Sequence, residues 1–113
     1  MSVSYFVRYD IQTADLARFM EHYRTRHIEI LSRWSGVQRV VLHTPAEWND
    51  PFAIARGNAV LLVQMEFESE AALKAALFAR ERAEARMDFQ SFPAFSGTVT
   101  HQAMFSEEVW RSK

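Results

Sequence analysis

Between Ala14 and Trp34 the apolar residues Leu16, Phe19, Met20, Tyr23, Ile30, Leu31 and Trp34 recur at steps of three and four, which predicts an amphipathic helix with one buried stripe. His27 falls on that stripe one turn after Tyr23, so the two form an i, i+4 pair facing the interior. Ahead of the helix, Val3, Tyr5, Val7 and Tyr9 alternate with Ser4, Phe6, Arg8 and Asp10, the period of a strand. Thr13 or Asp15 can cap the helix, and Gly36 closes it. Val37 to Thr44 is rich in β-branched residues and predicts a second strand, stopped by Pro45. Pro45 to Asn58 holds two prolines and a glycine and predicts a long loop carrying Trp48 and Phe52. Ala59 to Glu68 is the most continuous apolar run, a central strand with Leu61, Val63, Met65 and Phe67 on one face. Ser69 then opens a second helix, with Ala72, Ala76, Ala79, Ala83 and Met87 on its packed side and a kink near Ala79 to Arg82. The mixed-charge run from Arg80 to Arg86 reads as its solvated face, with an Arg80–Glu84 pair. Phe89, Phe92, Pro93 and Phe95 form an aromatic turn ending at Gly97, Thr98 to Phe105 is the last strand, and a polar tail carries Trp110, a candidate contact with another subunit.

The order strand, helix, strand, strand, helix, strand is that of an α+β ferredoxin-like βαββαβ sandwich with an antiparallel sheet. Right-handed crossovers place both helices on one face. Strand 1 carries an aromatic on each face, Tyr5 and Phe6, so the face without helices is expected to be apolar. Packing it against a second copy gives a homodimer through the sheet faces, a dimeric α/β barrel.

At 113 residues this is a single domain spanning 1–113, with a composition, 49% hydrophobic and 13% aromatic, that can form a core unaided. Thirteen basic against fourteen acidic residues leave a formal charge of −1, which points away from nucleic acid. The absence of cysteine excludes disulfides and thiolate chemistry. No apolar run is long enough for a membrane span, and the segment MSVSYFVRYD has no signal-peptide pattern, so a cytoplasmic protein is expected.

The candidate chemistry centres on His27, whose ordinary pKa suits general acid–base work; a core histidine with satisfied nitrogens is the competing reading. A neutral imidazole there can move a proton beside a carbonyl while the Tyr23 hydroxyl stabilises the enolate. Asp88 orients His27 or acts as the acid, or else makes only a local hydrogen bond. Tyr5, Phe6, Trp34, Phe89 and Phe92 are candidates to shape an apolar pocket, joined by His43 and His101 from the strands. Arg8 can bind a carboxylate or phenolate, or pair with Asp10. No metal site is expected: His22 and His27 stand five residues apart, which on an α-helix directs them to different sides. Glycine-rich phosphate loops and nucleophile elbows are absent.

The series Phe19-x3-Tyr23-x3-His27 with Leu31 and Trp34-Ser35-Gly36, and later Ala85 to Phe89 with Phe92, resembles the EthD-like proteins of the dimeric α+β barrel superfamily. Glu29 and Ser35 stand where that family often has prolines. The resemblance implies a small lyase, cyclase or isomerase that needs no cofactor and acts on an aromatic or polyketide-like ring compound by histidine-mediated proton transfer. It implies two alternatives as well: a cofactor-independent or haem-using monooxygenase of the same fold, and a non-catalytic ligand-binding or stress-related module.

Overall fold

A computed structural model describes all residues from Met1 to Lys113. Four strands, β1 (Ser2–Thr13), β2 (Val37–His43), β3 (Leu61–Phe67) and β4 (Phe95–Ser106), form one sheet in the order β2-β3-β1-β4, with every pairing antiparallel. The helical segments are α1 (Leu16–His22), a π turn (Tyr23–His27), α2 (Ile28–Ser32), α3 (Glu70–Leu77) and α4 (Arg80–Phe89). This is the ferredoxin-like sandwich that the element order predicts.

The alternation in the strands decides which side chains meet the helices. Val3, Tyr5, Val7, Tyr9 and Ile11 of β1 and Leu61, Val63, Met65 and Phe67 of β3 are all buried. They form one core with Phe19, Met20, Tyr23, Leu31 and Trp34 from the first helical region and Leu73, Ala76 and Ala85 from the second. Each large side chain taken fully out of water contributes about 1.5–3 kcal/mol. Ala76, with no exposed surface, lets α3 lie close to the sheet.

Local signals explain most element ends. Asp15, rather than Thr13, caps α1 by accepting the Arg18 N–H at 3.0 Å; the Thr13 hydroxyl donates instead to the Ala94 carbonyl. Ser69 caps α3 through the Ala72 N–H at 3.1 Å. Gly36 takes φ +77°, the left-handed conformation expected past a helix end.

Three expectations are corrected. The predicted continuous first helix contains the π turn, in which the Ile28 N–H reaches the Tyr23 carbonyl five residues back. Leu16, expected on the buried stripe, lies in the first turn, beyond the edge of the core, and is exposed. The second helix breaks at Phe78 and Ala79, at the start of the expected kink, and restarts at Arg80. That break rotates α4, so Ala85 and Asp88 are buried while Met87, expected on the packed side, is exposed.

Gly97 has φ +117°, and a Cβ there would stand 2.3 Å from the Asp10 carbonyl oxygen and 2.8 Å from the Ile11 Cα. Neither backbone atom can yield without disturbing the β1–β4 pairing. Gly97→Ala is therefore expected to lower unfolding free energy by at least about 2 kcal/mol. Gly57→Ala, where the nearest atom is the end of Arg8 at 3.6 Å, should stay within about 0.5 kcal/mol of wild type. Urea denaturation of the two variants in parallel checks the contrast.

Candidate functional site

The π turn determines where the histidines point. In an α-helix, residues five apart differ by roughly 140° in direction, from 3.6 residues per turn. The i→i+5 turn takes up an extra residue and brings His22 and His27 to the same side. Both reach one oxygen of Asp88 on α4: His27 Nδ1 lies 2.9 Å and His22 Nε2 3.1 Å from Asp88 Oδ2. Arg26 Nε lies 3.4 Å from the other oxygen. The expected separation of His22 and His27 is thus overturned by the local change of helix type.

A carboxylate accepts hydrogen bonds and donates none. His27 therefore carries its proton on Nδ1 when neutral, leaving the Nε2 lone pair free. Its side chain is 5% exposed and lines an internal cavity of about 30 Å3. Burial lowers its pKa below the ordinary 6.5, against the raising effect of Asp88, and the charges of His22 and Arg86 lower it further. Burial alone would raise the Asp88 carboxyl, but the hydrogen bonds and charge of the two histidines outweigh it and hold its pKa low.

The cavity is walled by Tyr5, Tyr9, Tyr23, Trp34, Arg82, Arg86, Phe89 and His101 together with core aliphatics. Tyr23 stacks beside His27 with ring centroids 4.8 Å apart, as the i, i+4 spacing predicts. Its pKa is pushed well above 10 by burial and secondarily by the neighbouring Tyr9, so it remains a neutral phenol. Tyr5 and His101 form a second polar pair, hydroxyl to Nδ1 at 2.7 Å. His101 is also held below its ordinary value by burial, with Arg86 and Arg82 adding to the effect. Trp34 Nε1 is buried with no hydrogen-bond partner.

Of the residues singled out by sequence, His27, Tyr23, Tyr5, Trp34, Phe89 and His101 meet at this cavity. Asp88 stands behind His27. Phe92 also lies outside the lining; its ring packs edge-on against His27 at 4.8 Å and His22 at 5.2 Å. Phe6, Arg8 and His43 are not brought to the site. They occupy the opposite sheet face, where the strand alternation puts even-numbered positions of β1, and there Arg8 pairs with Asp10 and His43 with Gln64. Sequence reasoning missed His22, Arg82 and Arg86. The i, i+4 spacing of the two arginines was visible, but α4's rotation after the break turns them from the solvated face toward the cavity.

The cavity has room for little more than a water molecule. At its rim Arg82 and Arg86 are tied to no carboxylate, and Arg86 is exposed. A haem does not fit. Admitting that macrocycle would part Leu31, Trp34, Met65 and Ala85, all core residues. No cluster of three potential metal-ligating side chains of suitable geometry is present, and no helix is long and apolar enough to cross a membrane.

The sequence matches no family model and no curated protein. Solved structures with the same fold do match. An EthD family protein from Bacillus halodurans is 19% identical with a TM-score of 0.75, over 95% of this chain and 100% of that one. The cofactor-independent oxygenase SnoaB from Streptomyces nogalater is 14% identical with a TM-score of 0.63, over 98% of each chain. A dimeric ferredoxin-like protein from Thermobifida fusca is 10% identical with a TM-score of 0.64, over 92% of this chain and 90% of that one. The fold is therefore EthD-like, as the motifs around His27 and Phe89 led one to expect.

His27 and His101 stay neutral in the folded protein at a pH where unfolded histidines, near 6.5, already take protons. The unfolded state then binds more protons, so stability falls as pH drops below about 6.5 and is complete above it. Asp88 continues the loss: its contribution is present above the unfolded value of 3.8 and disappears as pH falls through its lower folded pKa. Urea unfolding is expected to be flat above about pH 7 and to weaken steadily below 6.5. His27→Gln should shallow that limb below about pH 6.5, with His101 supplying the remainder; an unchanged slope would contradict the assigned direction of the His27 shift.

Proposed function

We propose that this protein is a small enzyme that removes a proton from carbon beside a carbonyl in an aromatic or polyketide-like ring compound, with His27 as the base. The observation that carries the reading is the Asp88–His27 hydrogen bond at 2.9 Å, which leaves a neutral imidazole with its free Nε2 at a cavity. His27 Nε2 takes the proton and the C–H electron pair moves into the carbonyl, forming an enolate. Asp88 stabilises the resulting imidazolium, and the neutral Tyr23 phenol beside His27 meets the developing oxyanion. Return of the proton to another carbon gives an isomerase; its delivery to a departing hydroxyl gives a dehydratase; attack of the enolate carbon on a second carbonyl of the same molecule, whose alkoxide then takes the proton, gives a cyclase. These steps call on no cofactor.

The likeness to SnoaB favours a second reading, a cofactor-independent monooxygenase. There the enolate carbon bonds to O2, the peroxide anion takes the proton from His27, and loss of water leaves a new carbonyl. Both readings share the first step. Deuterium exchange at the acidic carbon of 2-tetralone, followed by proton NMR in D2O, tests it directly. Wild type should exceed buffer, His27→Gln should lose about 10²–10⁴-fold, and Asp88→Asn, which removes the negative charge that supports the imidazolium, should lose a substantial part of that. Equal exchange in wild type and His27→Gln would leave a non-catalytic binding module as the better account. Oxygen uptake with the same ketone separates the two enzymatic readings.

The working unit in this proposal is a homodimer joined through the sheet faces. Phe6, Val41 and Leu62 are half-buried and Met104 is exposed on the face that lacks helices. These apolar side chains stand among Gln64, Gln102 and Arg8. Pairing of Gln64 with Ser4 and His43 and of Arg8 with Asp10 leaves the face compatible with burial, and the Thermobifida fusca neighbour is dimeric. Light scattering should give twice the chain mass for wild type, and Leu62→Glu should shift it toward monomer. A monomeric wild type at micromolar concentration would refute the assembly.

A further inference from the structure

We propose that the ligand of this cavity is an acid: a small aromatic or enolisable carboxylate whose anionic group is gripped between Arg82 and Arg86. As a statement about a substrate this rests on the proton-transfer reading, but the anion site itself stands on different residues.

Arg82 and Arg86 are one turn apart on α4 and both border the cavity. Most other arginines are committed to carboxylates: Arg8 to Asp10, Arg26 to Asp88, Arg33 to Glu29 and Glu84, Arg39 to Glu66, Arg80 to Glu81 and Glu84, Arg111 to Glu108. Arg82 and Arg86 pair with none, and Arg86 rests instead on the Phe89 ring, 5.0 Å from its centroid. No aspartate or glutamate lines the cavity. Its lining thus holds two arginines and imidazoles held neutral, with no carboxylate among the lining residues.

Two full positive charges exceed what a transient enolate needs. A neutral ring ketone entering the cavity would strip water from both guanidinium groups and return nothing, whereas a carboxylate offers each a charge-assisted hydrogen bond in the planar geometry that arginine matches. The field already acts on the far wall, where Arg82 and Arg86 lower the proton affinity of Tyr5 and His101.

Titration with benzoate and its neutral isostere benzamide tests this, read by calorimetry and by the indole N–H signal of Trp34, assigned through Trp34→Phe. Benzoate should bind saturably, at least about tenfold tighter than benzamide, and shift the Trp34 signal. Arg82→Gln and Arg86→Gln, both at positions open to solvent or partly so, should each weaken benzoate about tenfold or more and leave benzamide unchanged. Absence of saturable benzoate binding, equal affinity for the two probes, or unchanged benzoate affinity in both arginine variants would overturn the proposal. His27→Gln separates the two readings: arginine-dependent benzoate binding without His27-dependent exchange of 2-tetralone keeps the anion site and removes the base, and exchange with no preference for benzoate does the reverse.

Discussion

One carboxylate oxygen ties the two helical layers together. Asp88 Oδ2 receives His22 and His27 from the first helical region while Asp88 itself belongs to α4. Hydrogen bonds to a charged group contribute about 1.5–3 kcal/mol each, and a buried carboxylate without them would carry a penalty of similar size. The arrangement exists only because the chain changes from α to π geometry between the two histidines. Without the added residue in that turn, His22 would face elsewhere and Asp88 would keep one imidazole. The π turn, the contact between the helical layers and the tautomer of His27 are therefore coupled.

Strand character was legible because period-2 alternation has no competing explanation in this chain. Leu61, Val63, Met65 and Phe67 face the helices as their spacing requires, and Tyr5 falls on the same side as Tyr9. The same alternation, once the face was known, removes Phe6, Arg8 and His43 from the site; before that, either face could have been the cavity wall. The helical features that escaped prediction share a different cause. A π turn and a break at Phe78 and Ala79 are shifts in angular register set by packing, and no local propensity in YRTRH or in LFAR announces them. Every residue after such a shift is rotated, which is why Met87 came out exposed and Arg82 and Arg86 came in.

The sheet divides the molecule's chemistry. On the helix side the cavity gathers titratable groups under aromatic cover. On the other side the polar groups satisfy one another: Ser4, with no exposed surface, bonds Ser106 and Gln64, Arg8 holds Asp10, and Arg39 holds Glu66. Such pairing lets a face remain compatible with burial against a second sheet. Residues 44–60 and 107–113 extend from this body without regular structure, and the radius of gyration, 15.5 Å, exceeds the roughly 13 Å expected for a compact chain of this length. Trp48, Phe52, Val109 and Trp110 are exposed on these extensions.

Two opposed fields meet at His27. Behind it Asp88 favours a protonated ring; around it burial, His22 and Arg86 disfavour one, and the balance falls below 6.5. A ring tuned only by the carboxylate would hold its proton near neutral pH and could accept nothing. A ring tuned only by burial and cations would accept a proton reluctantly and lose its orientation. Asp88 on the Nδ1 side sets which nitrogen is free and would support the charge once it forms, while burial, with smaller contributions from His22 and Arg86, keeps the ring unprotonated beforehand. The proton affinity of His27 is thus set by burial working against a positioned carboxylate rather than by any single group.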